Sequence, residues 1–235
     1  MGTISAEGSV SVVIQARLEG VDRSEVLRYL GYRGQMLPPE QERLLADCTR
    51  SLLTAARPRA VYRVFPVQCG QLSGTSLTLT GEDIHRHLMG CTQAVLMAAT
   101  LGTEVETLLL RAEVTDMARA LVLDSVASAA IENVCDNLEA DLRREYEARG
   151  LFLTGRYSPG YGDLPISLQG PLCEVLDARR RIGLTVSGSG ILIPRKSVTA
   201  LLGVSDVPGR GHRAGCAGCA LFTTCDHTKC RTVGQ

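Results

Sequence analysis

The segment from Asp116 to Arg149 constrains the fold of this chain more than any other. It reads as one long helix, parted from a helical stretch beginning at Glu104 by a break near Thr115-Asp116. Met117, Leu121, Val126/Ala127, Ala130/Ile131, Val134, Leu138 and Leu142 make a continuous apolar stripe. Between Ser125 and Ala130 only small residues and Val126 occur, which lets another backbone approach closely. Charges crowd the far end (Glu139, Asp141, Arg143, Arg144, Glu145), predicting a solvated terminus, and Gly150 stops the helix.

Strand and helix signals surround it. Residues 9–16, 60–68, 72–80 and 92–99 read as strands, the second and third joined by a Gly-containing turn and the last a buried apolar run. Asp22 and Glu25 have capping-box spacing before a short amphipathic turn, Val26 to Tyr32. Pro38-Pro39-Glu40 opens a helix carrying Leu44, Leu45, Cys48 and Leu52. Thr80-Gly81-Glu82-Asp83 reads as a cap for a helix through Met89. After Gly150 glycine and proline become frequent, one helix is predicted from Pro171 to Ile182, and β-type runs follow at 184–187, 190–193 and 197–204. These elements predict an α+β domain over residues 1–205: a curved, mainly antiparallel sheet flanked by helices, one of them long. Residues 206–235 form a linker and a four-cysteine tail.

Composition closes off several functions. Lys plus Arg and Asp plus Glu are 25 each, so the formal net charge is zero, which argues against a broad nucleic-acid footprint. Six Tyr, three Phe and no Trp leave few platforms for base stacking. No apolar run reaches the ~20 residues of a membrane helix, and the N-terminus lacks the pattern of a signal peptide. The expectation is a cytoplasmic protein with neither nucleic acid nor membrane as partner.

The nine cysteines divide into two groups. Cys48, Cys69, Cys91, Cys135 and Cys173 are scattered through apolar or amphipathic segments and read as small core residues. Cys216, Cys219, Cys225 and Cys230 crowd together in the spacing Cys-x2-Cys-x5-Cys-x4-Cys. In a chain without an export signal this points to metal or redox chemistry before disulfides. One compact run resembles iron–sulfur ligation, although its spacing is not the standard ferredoxin one. Zinc is the alternative, more often held by two separated Cys-x2-Cys knuckles.

The richest stretch for ligand chemistry is Arg156-Tyr-Ser-Pro-Gly160-Tyr161-Gly162. Pro159 fixes one dihedral, Gly160 removes a side chain where a ligand can lie on the backbone, and an Arg beside such a turn suits a carboxylate. Three other signals are read plainly. Asp83 and His85 are first-turn helix residues behind the Thr80-Gly81 cap. Gly188-Ser-Gly190 is a loop, and Glu132 is a residue at the edge of a helix face.

Arg156-x-x-x-Gly160-Tyr161 resembles the RxxxGY signature of the S-adenosylmethionine-binding activation domain of cobalamin-dependent methionine synthase. The order continues through Gly162-Asp-Leu-Pro165, an amphipathic helix, Ile182-Gly183-Leu-Thr185, Pro194 and Ser197-Val-Thr199. The upstream Glu25-Val-Leu-Arg-Tyr-Leu-Gly-Tyr-Arg33 is similar to stand-alone bacterial forms, so the resemblance covers most of residues 22–205. It implies a curved α+β fold with the cofactor in a shallow groove. It implies that Arg156 holds the carboxylate of S-adenosylmethionine, that the backbone of Ser158, Pro159 and Gly160 lines the amino-acid end, and that Tyr161 shapes the wall. The family's Tyr after the last strand has no counterpart in Val207-Pro-Gly-Arg-Gly, and the methionine synthase domain has no cysteine tail.

Together these readings predict an accessory subunit rather than a complete enzyme. It would bind S-adenosylmethionine and dock on a cobalamin-binding methionine synthase, or another corrinoid protein, to support remethylation of cob(II)alamin. A reductase or other electron donor is a further expected partner. The alternative is an iron–sulfur reductive activator serving another corrinoid methyltransferase.

Overall fold

A computed structural model describes residues 12–32, 34–68 and 70–208 of the chain. The four tail cysteines, Cys69 and the predicted strand residues before Val12 lie outside the described residues.

The apolar run near residue 95 explains the architecture. In β4 (Gln93–Thr100), Val95, Met97 and Ala99 enter one core cluster while Ala94, Leu96 and Ala98 enter another. A strand covered on both faces loses the polar half of its alternation, so its sequence is continuously apolar. It lies at the centre of a curled antiparallel sheet of order β1-β2-β4-β8-β5. The others are β1 (Val12–Gln15), β2 (Arg59–Gln68), β5 (Phe152–Leu153) and β8 (Ser197–Ser205), with β3 (Gln71–Leu72) paired to the end of β2.

One face carries α1 (Arg23–Tyr29), α2 (Pro39–Ala55), α4 (Thr103–Thr115) and α5 (Met117–Glu147). The other carries α3 (Glu82–His87), α6 (Gln169–Val175), α7 (Ala178–Ile182) and the hairpin of β6 (Thr185–Val186) and β7 (Leu192–Ile193). The long helix is present. Asp116 makes the break before it, its N–H bonding Ala112 O at 2.8 Å to end α4 and its carboxylate accepting Arg119 N–H at 3.0 Å to cap α5. Ala127 and Ala130 are fully buried, and α5 packs on α1, α2 and α4 as well as on β4 and β8. Its first turn differs from the predicted stripe: Met117 and Leu121 are exposed. Ala120 and Leu123 carry the buried side of this stretch instead, and Lys196, which leads into β8, bonds Ser128 Oγ at 2.8 Å and pairs with Asp124.

Two other elements depart from expectation. Beyond Leu72 the predicted strand 72–80 gives way to turns, because Thr75 Oγ1 donates to Leu72 O and accepts Leu77 N–H, satisfying the backbone locally. The predicted single helix 171–182 is two, broken at Asp177, whose φ of 52° is left-handed. The turn is imposed from below, since Ala178 and Ile182 must reach the core against β2 and β4.

Among the described residues no helix is long and apolar enough to cross a membrane. Cys48, Cys135 and Cys173 are buried as expected, while Cys91 is half-buried. Burial pushes the Cys135 thiol up to about 12, and burial with Glu174 beside it pushes Cys173 up to about 11. At pH 8 iodoacetamide is therefore expected to leave Cys48, Cys135 and Cys173 unmodified until denaturant is added. Peptide mass mapping that finds them alkylated in the folded protein contradicts this packing.

Candidate functional site

The site begins with an irregularity at the sheet edge. Leu153 pairs with Val204 and Tyr157 bridges to Leu201, so residues 154–156 stand opposite only residues 202–203. An extra residue in one strand is a β-bulge, which re-aims the side chains beyond it. Here it turns Arg156 toward α5 and Tyr157 into the core on the opposite face.

Arg156 meets a row of carboxylates on α5. Its Nη2 lies 2.5 Å from Asp136 Oδ1 and 3.2 Å from Glu132 Oε2, and its Nε lies 3.0 Å from Glu139 Oε2. These positions recur at helical spacing, so they share one face of α5. The Arg156 side chain is 18% exposed, whereas Asp136 is 60% exposed and forms the open end of the row. Burial works against the guanidinium charge, but Cys135, Glu132, Asp136 and Glu139 outweigh it and hold Arg156 above its ordinary value. Glu139 also receives Arg143 Nη2 at 2.7 Å, and Arg143 donates to Leu153 O and Thr154 O at 2.7 Å each. The bulge is thus tied to α5 from both sides.

Past Arg156 the chain makes a compact turn. Gly160 N–H donates to Leu164 O at 2.8 Å, and Tyr161 N–H donates to Ser158 O at 3.1 Å. Gly160 has φ +93°, outside the range of L side chains, and only Ile166 Cδ1 comes near its open side. Ser158 is half-buried and Pro159 buried, while Tyr161 is exposed. The Tyr161 ring packs on Tyr157 with centroids 6.4 Å apart, and Tyr157 Oη donates to Tyr161 O at 3.3 Å. Arg156 therefore faces α5, and Tyr161 projects from the turn on the Tyr157 side.

A second anchor comes from α3. Asp163 accepts Glu82 N–H at 2.6 Å and Asp83 N–H at 3.2 Å, capping that helix from across the fold. Thr80-Gly81 was the expected cap, but Gly81 sits at the N-cap and has no side chain to offer. Asp83 and His85 are helix residues as predicted, and the His85 ring covers Gly70. Sequence reasoning missed two features. Glu132, expected to be an ordinary edge residue, pairs with Arg156, and fully buried His87 lies behind the motif. His87 Nε2 is 2.9 Å from Thr154 Oγ1, which also receives Gly203 N–H at 2.8 Å, and its ring is 5.0 Å from that of Tyr157. The recurrence of acidic residues at 132, 136 and 139 on one helix face was the available signal for the first; none marked the second.

Among the described residues no group of three or more His, Cys, Asp or Glu is arranged to hold a metal ion.

The crystal structure of the MetH reactivation domain bound to AdoHcy superposes on 88% of this chain and 81% of that one, with a TM-score of 0.56 and 17% sequence identity. The chain has the reactivation-domain fold. No protein-family model and no curated protein matches its sequence. The curved α+β fold that the RxxxGY resemblance implied is the one observed.

Proposed function

We propose that this chain binds S-adenosylmethionine and acts as a reactivation subunit, docking over cobalamin presented by a corrinoid methionine synthase. The observation that carries the reading is Arg156, held at a bulged edge beside the Gly160-Tyr161 turn, on a fold whose solved counterpart is bound to AdoHcy. The ligand carboxylate would displace Asp136, the exposed member of the row, from the Arg156 guanidinium, because Nε and Nη2 are engaged by Glu139, Glu132 and Asp136. The bare backbone at Gly160 leaves room for the amino-acid end, between Arg156 on the α5 side and exposed Tyr161 on the Tyr157 side.

Charge favours the methyl donor over its product. Among the described residues Glu132, Asp136 and Glu139 pair with Arg156 and Arg143 alone, leaving surplus negative charge with Asp136 at the open end. S-adenosylmethionine carries an ammonium and a sulfonium against one carboxylate, whereas its demethylated product lacks the sulfonium charge. Cobalt chemistry supplies the rest: cob(II)alamin with one electron and the sulfonium methyl gives methylcobalamin and S-adenosylhomocysteine. This chain's own contribution is to bind and orient the donor, a proximity effect.

The tail adds a second reading. Cys216, Cys219, Cys225 and Cys230 are spaced to wrap one iron–sulfur cluster or zinc ion, and a cluster there would make the chain a reductive activator for another corrinoid methyltransferase.

One experiment separates them. The chain is mixed with a methionine synthase cut before its own reactivation domain, cob(II)alamin, a reductant and S-adenosylmethionine. Methylcobalamin is expected to return, followed by its absorbance, and to fail without S-adenosylmethionine. Recovery that ignores S-adenosylmethionine replaces the first reading with the second. A chain ending at Pro208 tests the tail, because Ser205 still pairs with Phe152 and must be kept. If the tail only staples or docks, the shortened chain still works with a strong chemical reductant.

A further inference from the structure

The sheet face that carries the motif turn also carries a basic corner. Arg59 and Arg63 stand on β2 at the same alternation as Val61 and Phe65, which enter the core shared with Tyr157. Next to them α7 buries Ala178 and Ile182 and carries Arg179, Arg180 and Arg181 on its remaining positions. A Cβ on Gly183, which ends α7, would lie 3.7 Å from Arg59 Nη2, and Arg63 Nη1 donates to Val175 O at 2.8 Å.

Among the described residues one carboxylate, Asp177, pairs with the arginines of α7. Asp177 accepts Arg180 Nε at 2.7 Å and lies 3.7 Å from Arg181 Nε, which is buried without a hydrogen-bond partner. Among the described residues Arg59, Arg179 and Glu174 form no ion pair. Asp177 is also the one non-glycine residue with positive φ among those described, and its left-handed turn swings the arginine triplet over the sheet. A strained residue that gathers uncompensated charge is a mark of function rather than of stability.

We propose that this corner is the rim of the docking face and that it receives carboxylates on the protein that presents the corrinoid. The inference rests on the functional reading above. Position supports it: β2 lies three strands from the β5 edge that carries the motif turn, about 14 Å at sheet spacing. A standard interface covers on the order of 800 Å² per partner, so one seated over the motif turn reaches this corner. Charge selects the occupant. The chain is neutral overall, so it has no long-range pull on a polyanion, while separate guanidinium forks match separate carboxylates. Rim charges act chiefly on the association rate and its salt dependence.

The test is association of the full chain with methionine synthase cut before its reactivation domain, followed by biolayer interferometry across ionic strengths. Arg59→Glu combined with Arg179→Glu, both unpaired and exposed, is expected to slow association at least about 10-fold at low salt. It should also flatten the salt dependence, while the Lys pair of substitutions at both positions retains the parental rate. Calorimetry of each chain alone should give one S-adenosylmethionine affinity. An unchanged rate and salt slope in the Glu variant overturns the docking corner, as does a parental chain that never associates. Duplex DNA bound by the parental chain and released by the Glu variant also overturns it. A parental chain that associates but binds no S-adenosylmethionine instead counts against the functional reading.

Discussion

Arg156→Ala is expected to lower S-adenosylmethionine affinity by about 100-fold, the equivalent of roughly 3 kcal/mol. Two effects combine. The ligand carboxylate loses its charged partner, and Glu132 and Asp136 lose their cation while Glu139 keeps only Arg143. The second effect also reaches the fold. Removing one member of a largely buried ion-pair group costs about 3–5 kcal/mol, and less here because Asp136 is exposed. Arg156→Lys separates the two, since a compact ammonium retains charge near the row but cannot present the fork. Calorimetry should find the Lys variant close to the parental melting temperature yet weak in ligand binding. Asp136→Asn should spare the fold and narrow the preference for S-adenosylmethionine over S-adenosylhomocysteine. Equal affinity in Arg156→Ala and the parental chain removes Arg156 from the site.

Gly162→Ala is expected to lower the melting temperature well beyond the cost of its backbone conformation alone. At φ +51° an L side chain is strained, and the new Cβ would come within 2.3 Å of Asp83 Oδ2 and 2.5 Å of Tyr157 Oη. Strain and displacement of these two side-chain tips together amount to about 2 kcal/mol, or roughly 4–8 °C in a domain of this size. The turn carrying Ser158, Pro159 and Gly160 is anchored at the same point, so ligand affinity should fall with stability. Gly150→Ala is the control, having φ +70° but open space around its Cβ. It carries the conformational cost alone, about 1 kcal/mol. Calorimetric melting that ranks the two variants equally means Asp83 and Tyr157 do not constrain the turn.

Several elements were legible because their causes are local. The break before α5 follows from one Asp able to end a helix and cap the next. The doubly buried β4 appears as an apolar run with no polar alternation. The RxxxGY run announces the turn that Gly160 and Tyr161 form. The lone cysteines at 48, 135 and 173 sit in apolar periodicity and are buried for that reason.

What the sequence determined by itself was therefore most of the helices and strands, the α+β class and the residues worth suspecting. Tertiary structure alone decided how they meet. The bulge that turns Arg156 to α5 depends on the register between β5 and β8, which pairs residues far apart in the chain. Asp163 caps α3 from a distance because Gly81 cannot, and no local pattern reveals a cap that distant. The break at Asp177 runs against helical periodicity and exists because Ala178 and Ile182 gain burial beneath the sheet. In each case a contact between distant residues outweighed a local preference. Backbone propensities differ by about 1 kcal/mol or less per residue, while burying a side chain or completing a charged hydrogen bond contributes more.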